Sequence, residues 1–280
     1  MTALGGDATA LDAWDWRGEA RASLYGVCVG VRVADPAHLA PLVAHLPHGA
    51  VPTPGQPVDR CYSVARGDAP DAIYRLFADQ RRIARRRDLE RLARAFAASA
   101  RHFVALHARE RIFVHAGVVA IGDRAVLIPG RTHSGKTTLV AELVRAGATY
   151  YSDEFAVLDA DGWVHPFAKP LSIRVAPGQP AALVDVAALG GTAGVTPRRV
   201  GAVVSTRWVS GARWRPEALT AGRAALRLLD NAVAARPRFS EAGRAIAAAL
   251  AGPVRAWHGA RGDAHEVAHW LVDAFGRGEA

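Results

Sequence analysis

The segment GRTHSGKTT, Gly130 to Thr138, decides how the rest of the chain is read. It fits G-x-x-x-x-G-K-[ST], a spacing that wraps the phosphates of a nucleotide. Such a match carries weight only when a strand enters the loop and a helix leaves it. Both are written here. AVLIPG, residues 125–130, is a short apolar run of the buried-strand type, and KTTLVAELV, residues 136–144, is amphipathic. Gly130 is read as the sharp exit from the strand, and Gly135 as the point where the backbone approaches the anion without a Cβ. Arg131, Thr132, His133 and Ser134 supply loop N–H groups, which face the anion together with the helix N-terminus. Lys136 reaches the β- and γ-phosphates, the Thr137 hydroxyl suits Mg²⁺, and Thr138 follows in the first turn. ATP and Mg²⁺ are thus the implied cofactors.

Working outward, RIFVHAGVVAIGDRAVLIPG reads as two β-rich runs around a Gly122-Asp123 turn that lead into the loop. The helix after the loop buries Leu139, Val140, Leu143 and Val144 and stops at Gly147. Next comes YYSDEF, residues 150–155. In a parallel sheet, a strand one helix after the loop ends beside it, on the ligand side. That places Asp153 and Glu154 at the phosphates. One acid can accept a proton from an attacking hydroxyl while the other helps to hold the metal. A hairpin turning at Asp161-Gly162 follows, then strands in LSIRV and GAVVSTRWV, and mostly helix from about Pro216.

The stretch from Val114 to Arg174 resembles the catalytic core of the HPr kinase/phosphorylase-like family, and more closely its shorter HPr-serine-kinase-like relatives. The shared pattern is a His-Gly-type strand, a hairpin, the phosphate loop and an acidic pair at a strand end. The resemblance implies an α/β fold with a P-loop kinase core like the HPr kinase C-terminal domain. It implies a Mg²⁺-dependent transfer from ATP to a serine hydroxyl. Asp153 stands where the family has its catalytic aspartate, the proton acceptor. Glu154 replaces the second aspartate, so Thr137, Asp153 and Glu154 form the metal side. His115 takes the place of the family histidine near that acid. Arg174 matches an arginine of the family's signature segment, although the glycines that follow it there are out of register here. The loop GRTHSG also departs from the family's Ser/Gly-rich form. HPr kinases assemble as hexamers, which raises a homo-oligomer as an expectation that the sequence itself does not fix.

Residues 1–108 show no such match. They read as a small α+β domain, open to a substrate- or partner-binding role, against a catalytic domain of 109–280. Its strands lie in LYGVCVGVRV, RCYSVAR and AIYRLF. A first helix starts at Pro36, and a longer one is capped by Asp88 with Leu89, Leu92, Phe96, Phe103 and Leu106 as its stripe.

Composition narrows the classes. The net charge of +9 comes almost wholly from arginine, since the only lysines are Lys136 and Lys169. The densest basic run, Gln80–Arg94, reads as a solvated strand and helix face, with docking of an acidic partner as the alternative. No aromatic residues interleave with its arginines, which argues against a platform for single-stranded nucleic acid. No apolar run approaches the roughly 20 residues of a membrane span. The acidic start reads as no export signal, and Cys28 and Cys61 have no metal-type spacing, so a cytoplasmic protein is expected. HEVAH, His265–His269, fits the H-E-x-x-H zinc spacing. Asp263 and Glu266 already have capping-box spacing, and Val267, Trp270, Leu271 and Phe275 make a core stripe, so a terminal amphipathic helix without zinc is the reading. The expected function is phosphorylation of a hydroxyl on a peptide or protein. A small-molecule acceptor such as free serine, or a nucleotide-binding regulatory module without transfer, are the alternatives.

Overall fold

The computed structural model describes residues 11, 14–46, 49–67, 72–130, 134–174 and 181–276. Arg131, Thr132 and His133 of the loop lie outside the described residues. The chain divides into two compact units, Met1–Arg109 and Glu110–Ala280. Both mix helix and sheet.

The first unit holds strands β1 (Gly18–Leu24), β2 (Val27–Val33), β3 (Val51–Pro52), β4 (Arg60–Arg66), β5 (Tyr74–Ala78) and β6 (Arg81–Arg86) in the order β3-β1-β2-β4-β5-β6. Its helices are α1 (Leu39–Val43) and α2 (Leu89–His107). The Asp88 carboxylate accepts the Arg91 N–H at 2.8 Å, the expected N-cap. Leu92, Phe96 and Phe103 of the anticipated stripe are buried, whereas Leu89 and Leu106 are half-buried. The arginines of β6 are exposed along a sheet edge, where charge discourages pairing with another chain.

The second unit adds β7 (Ile112–Ile121), β8 (Arg124–Pro129), α3 (Lys136–Arg145), β9 (Thr149–Ser152), β10 (Phe155–Leu158) and β11 (Trp163–His165). There follow β12 (Leu171–Ile173), β13 (Ala182–Val184), β14 (Arg198–Trp208), β15 (Glu217–Ala218), α4 (Ala221–Leu229), α5 (Phe239–Ala249), β16 (Arg255–Arg261) and α6 (Ala264–Gly276). The main sheet runs β11-β10-β7-β8-β14-β16-β15, with β9 also on β7 and the pair β12-β13 separate. Helices α3 and α6 cover one face through Leu139, Val140, Leu143, Val267 and Leu271. Helices α4 and α5 cover the other through Ala224, Leu228, Ala245 and Ile246.

Two features differ from the sequence reading. The sheet is mixed: β8, β14 and β16 are parallel, but β7 is antiparallel to β8 and stands between β8 and the acidic segment. Because β9 and β10 are both antiparallel to β7, they run in the direction of β8. The acids therefore reach the loop's edge by two reversals rather than by direct parallel pairing. The second difference is β16, which lies in a region read as mostly helical. RAWHGAR lacks apolar alternation; it becomes a strand because β14 offers it a partner from Ala202–Arg255 to Trp208–Arg261.

The close seat of α3 on β7 depends on Gly117. A Cβ there would lie 2.6 Å from Val140 Cγ2, a contact that forces either the helix or the strand to move. We expect Gly117→Ala to destabilise the second unit by about 1–3 kcal/mol, the cost of overpacking, despite alanine's better strand propensity. Urea unfolding reads the change, and an unchanged midpoint would show that α3 has slack.

Candidate nucleotide site

The loop leaves β8 at Gly130 and becomes helical at Lys136. Gly135 is the N-cap residue at φ 83°, a left-handed conformation that glycine adopts freely. Gly130 is not left-handed; its lack of a side chain makes room instead, because a Cβ would meet Ser134 Oγ at 2.7 Å. Lys136 Nζ donates to the Gly130 carbonyl at 2.6 Å, so the lysine folds back over the loop. Burial pushes its pKa down, and the carboxylates of Asp153 and Glu154 work against that shift. Ser134 Oγ is buried and has no hydrogen-bond partner among the described residues. A donor without a protein acceptor, beside the first turn of a helix, is chemically suited to a phosphate oxygen. Thr138 is exposed on α3.

Asp153 directly follows Ser152, the last residue of β9, but the line of chain continues into β10 rather than turning away there. Ser152 opposes Val118 on β7 and Phe155 opposes His115, so β9 and β10 are one line of chain broken at Asp153–Glu154. The break is held by Ser152, whose hydroxyl accepts the Glu154 N–H at 3.0 Å and the Phe155 N–H at 2.9 Å. The Glu154 carbonyl in turn accepts the Ala116 N–H at 3.2 Å. With the local ladder replaced this way, the Asp153 side chain turns toward α3.

There it is surrounded by donors. Thr137 Oγ1 donates to Oδ2 at 3.1 Å, and the Ser172 N–H approaches Oδ2 at 3.4 Å. Tyr150 OH lies 3.2 Å from Oδ1 and 2.9 Å from the Lys169 carbonyl, sharing its proton between them. Lys169 Nζ donates to Oδ1 at 2.6 Å and stands 3.8 Å from Glu154 Oε2. Burial, then the adjacent Asp153 charge, hold the Tyr150 phenol far above the usual tyrosine range, so it remains a donor. The loop threonine and the acid are thus in direct contact, an arrangement of hydroxyl and carboxylate oxygens that fits a hard divalent cation such as Mg²⁺.

The other expected residues are placed less centrally. His115 is half-buried, with its ring 4.8 Å from that of Phe155. Its carbonyl accepts the Gly130 N–H at 3.2 Å, so its main chain adjoins the loop exit. Glu154 is the more open acid, with 25% of its side chain exposed. Arg174 is exposed, two residues beyond Ser172.

Two residues at the site escaped the sequence reading. Lys169 is one of only two lysines in the chain, and that rarity was the available signal: both lysines lie at this site. The other is Arg261, the last residue of β16, only 2% exposed. Its Nη2 donates to the Gly135 carbonyl at 2.8 Å, and its Nε lies 3.4 Å from Thr206 Oγ1. Among the described residues no carboxylate pairs with it. Burial accordingly lowers its pKa, with Asp263 opposing the shift from a distance. The guanidinium fills the space where a Gly135 Cβ would stand. In α6, the rings of His265 and His269 are 4.2 Å apart, and Glu266 accepts the Trp214 N–H at 3.1 Å. The structural role of Glu266 is therefore a tether to Trp214, while Asp263 alone accepts an N–H of the first turn, from His265 at 2.9 Å. No helix among the described residues is long and apolar enough to cross a membrane.

No family model matches the chain, and no curated protein matches it. Among solved structures, the chain is similar to the HPr(Ser) kinase/phosphatase from Coxiella burnetii, with 14% identity and a TM-score of 0.30. That match covers 59% of this chain and 95% of the other. A likeness at this level says nothing about chemistry, and the resemblance noted above rests on its motif residues.

The Asp153–Lys169 pair is nearly sealed, with the two side chains 2% and 14% exposed. Removing one member leaves the other's charge uncompensated in a desolvated place. Lys169→Met should cost about 3–5 kcal/mol. Asp153→Asn added to it should recover part of that loss. Urea unfolding of both single variants and the double variant tests this, and strictly additive losses would show that the pair is not coupled.

Proposed function

We propose that the second unit binds ATP with Mg²⁺ at residues 130–138 and passes the γ-phosphate to a hydroxyl, most simply a serine of a peptide or protein. The observation that carries this reading is the 3.1 Å contact between the Thr137 hydroxyl and the Asp153 carboxylate. It joins the residue that would hold the metal to a buried acid on a separate segment. In this reading Gly135, Ser134 and the N-terminus of α3 hold the phosphates, and Lys136 leaves the Gly130 carbonyl to meet them. Thr137 and Asp153, with Glu154 beside them, hold Mg²⁺, which when bound neutralises charge on the β- and γ-phosphates. Asp153 accepts the proton of the acceptor hydroxyl late in transfer, and Glu154 is the neighbouring carboxylate open to solvent. His115 and Arg174 act from the margin of the site, positioning the loop exit and the acceptor. Positioning and charge neutralisation are asked to supply most of the catalysis.

A second reading is favoured by one observation. Both oxygens of Asp153 already accept hydrogen bonds, so an incoming hydroxyl has to displace a donor. A regulatory module that binds nucleotide without transferring phosphate needs no such displacement.

The discriminating experiment is incubation of the full chain with γ-labelled ATP, Mg²⁺ and an extract of the source cell. Label should appear on a peptide or protein and vanish with Lys136→Ala. Asp153→Asn should lower transfer by at least about a hundredfold, with Glu154→Gln as the comparison for the neighbouring acid. Label on a small molecule would move the acceptor class, and nucleotide binding without any labelled acceptor would favour the regulatory module. Transfer that survives Asp153→Asn but not Lys136→Ala would remove Asp153 as the base.

A further inference from the structure

A cleft of about 610 Å³ opens where β14 and β16 end, on the same edge of the sheet as the loop that follows β8. In α/β sheets this carboxyl edge is where ligands bind. Its volume falls within the range of small-ligand sites. The lining is unusual in charge: Arg207, Arg213, Arg215 and Arg227 face it, against a single carboxylate, Glu217. That carboxylate is already engaged, because His258 Nε2 lies 3.1 Å from Glu217 Oε2 across the β15–β16 ladder. None of the four guanidinium groups has a carboxylate partner among the described residues. A solvated basic face disperses such groups over convex surface, whereas here four line one concavity whose single carboxylate is already engaged by His258. A smaller cavity of about 340 Å³ shares Arg227 and His258 and continues along α4 past Leu226, which is 60% exposed.

The cleft also has a physical link to the loop. Thr206 belongs to its wall, and the same Arg261 guanidinium that approaches Thr206 Oγ1 donates to the Gly135 carbonyl. One buried side chain therefore touches both places. The cleft lies on the β14–β16 side of the loop, while Asp153 lies across β7 on the other side.

We infer that this cleft is a second ligand site, separate from the loop, for a small polyanion carrying at least two phosphate or carboxylate groups. Arginine forks suit both groups through paired N–H donors. The proposal stands whether or not the loop transfers phosphate, since it rests on the cleft's own residues.

Citrate serves as the probe because its three carboxylates resemble the ligand class without resembling a nucleotide. Calorimetric titration of the full chain at low salt should show citrate binding that weakens as salt rises. The double variant Arg213→Gln/Arg215→Gln should weaken it by about tenfold or more, a change of roughly 1.4 kcal/mol. These arginines are exposed, so the variant should keep its fold, which circular dichroism checks. Lys136→Ala should leave citrate affinity unchanged, and prior saturation with ADP should leave the site open. No citrate heat in the wild type, or equal heat in the double variant, overturns the proposal. Citrate binding abolished by ADP or by Lys136→Ala also overturns it, because the anion would then be occupying the nucleotide site. Failure of ADP to bind, with citrate binding intact, would sink the nucleotide reading and leave this one standing.

Discussion

A buried carboxylate organises this unit. Asp153 draws donors from α3 through Thr137, from β9 through Tyr150, and from the segment around β12 through Lys169 and Ser172. Placing an ion in so dry a position costs several kcal/mol unless it is paired and hydrogen-bonded. The need to meet that cost constrains each of those segments. The start of α3 is therefore fixed by more than its glycine: its first turn is tied through Thr137 to a charge that β9 carries. The break between β9 and β10 serves the same end. An uninterrupted strand would alternate its side chains without leaving room for this turn. Ser152 makes the interruption affordable by accepting two N–H groups that would otherwise lack partners.

How much of this was legible follows from how local each signal is. β8, the loop and α3 are neighbours in sequence, and their strand, glycine and amphipathic signals agree. Leu139, Val140, Leu143 and Val144 are buried as the helical period requires. The acid pair was legible as chemistry, but its setting was not. The mixed sheet arises because the hairpin β7–β8 puts β7 beside the loop strand, and β7 then offers its free edge to β9 and β10. That is a pairing choice between distant segments. β16 failed for the same reason in stronger form. Of its seven residues only Ala256 and Arg261 are buried, so no apolar alternation announces it. Its identity as a strand is supplied by β14.

Composition held one signal that periodicity could not. In a chain that uses arginine for nearly every cation, a lysine marks a position that a planar fork does not fit. Lys136 at the start of α3 is one such position, and Lys169, which delivers a compact ammonium to Asp153 within 2.6 Å, is the other. The converse holds at Arg261. There a fork is wanted, because one guanidinium reaches Thr206, Gly135 and the Gly262 carbonyl at once.

Arg261 is also the residue whose presence is hardest to explain by stability. The Gly135 carbonyl already accepts the Leu139 N–H at 3.2 Å, so the arginine is not required to satisfy it. A buried guanidinium without a carboxylate partner loses hydration and recovers only neutral acceptors, which is a net cost to the fold. Positions that break a local rule without an evident gain in stability are where function is to be sought. Here the uncompensated charge stands between Gly135, at the start of α3, and a cleft lined by further arginines. An anion in either place would supply the missing counter-charge. The fold has thus left one positive charge unmatched between the start of α3 and the cleft, and the shortage of carboxylates there among the described residues is itself a reason to look for negative charge from outside the chain.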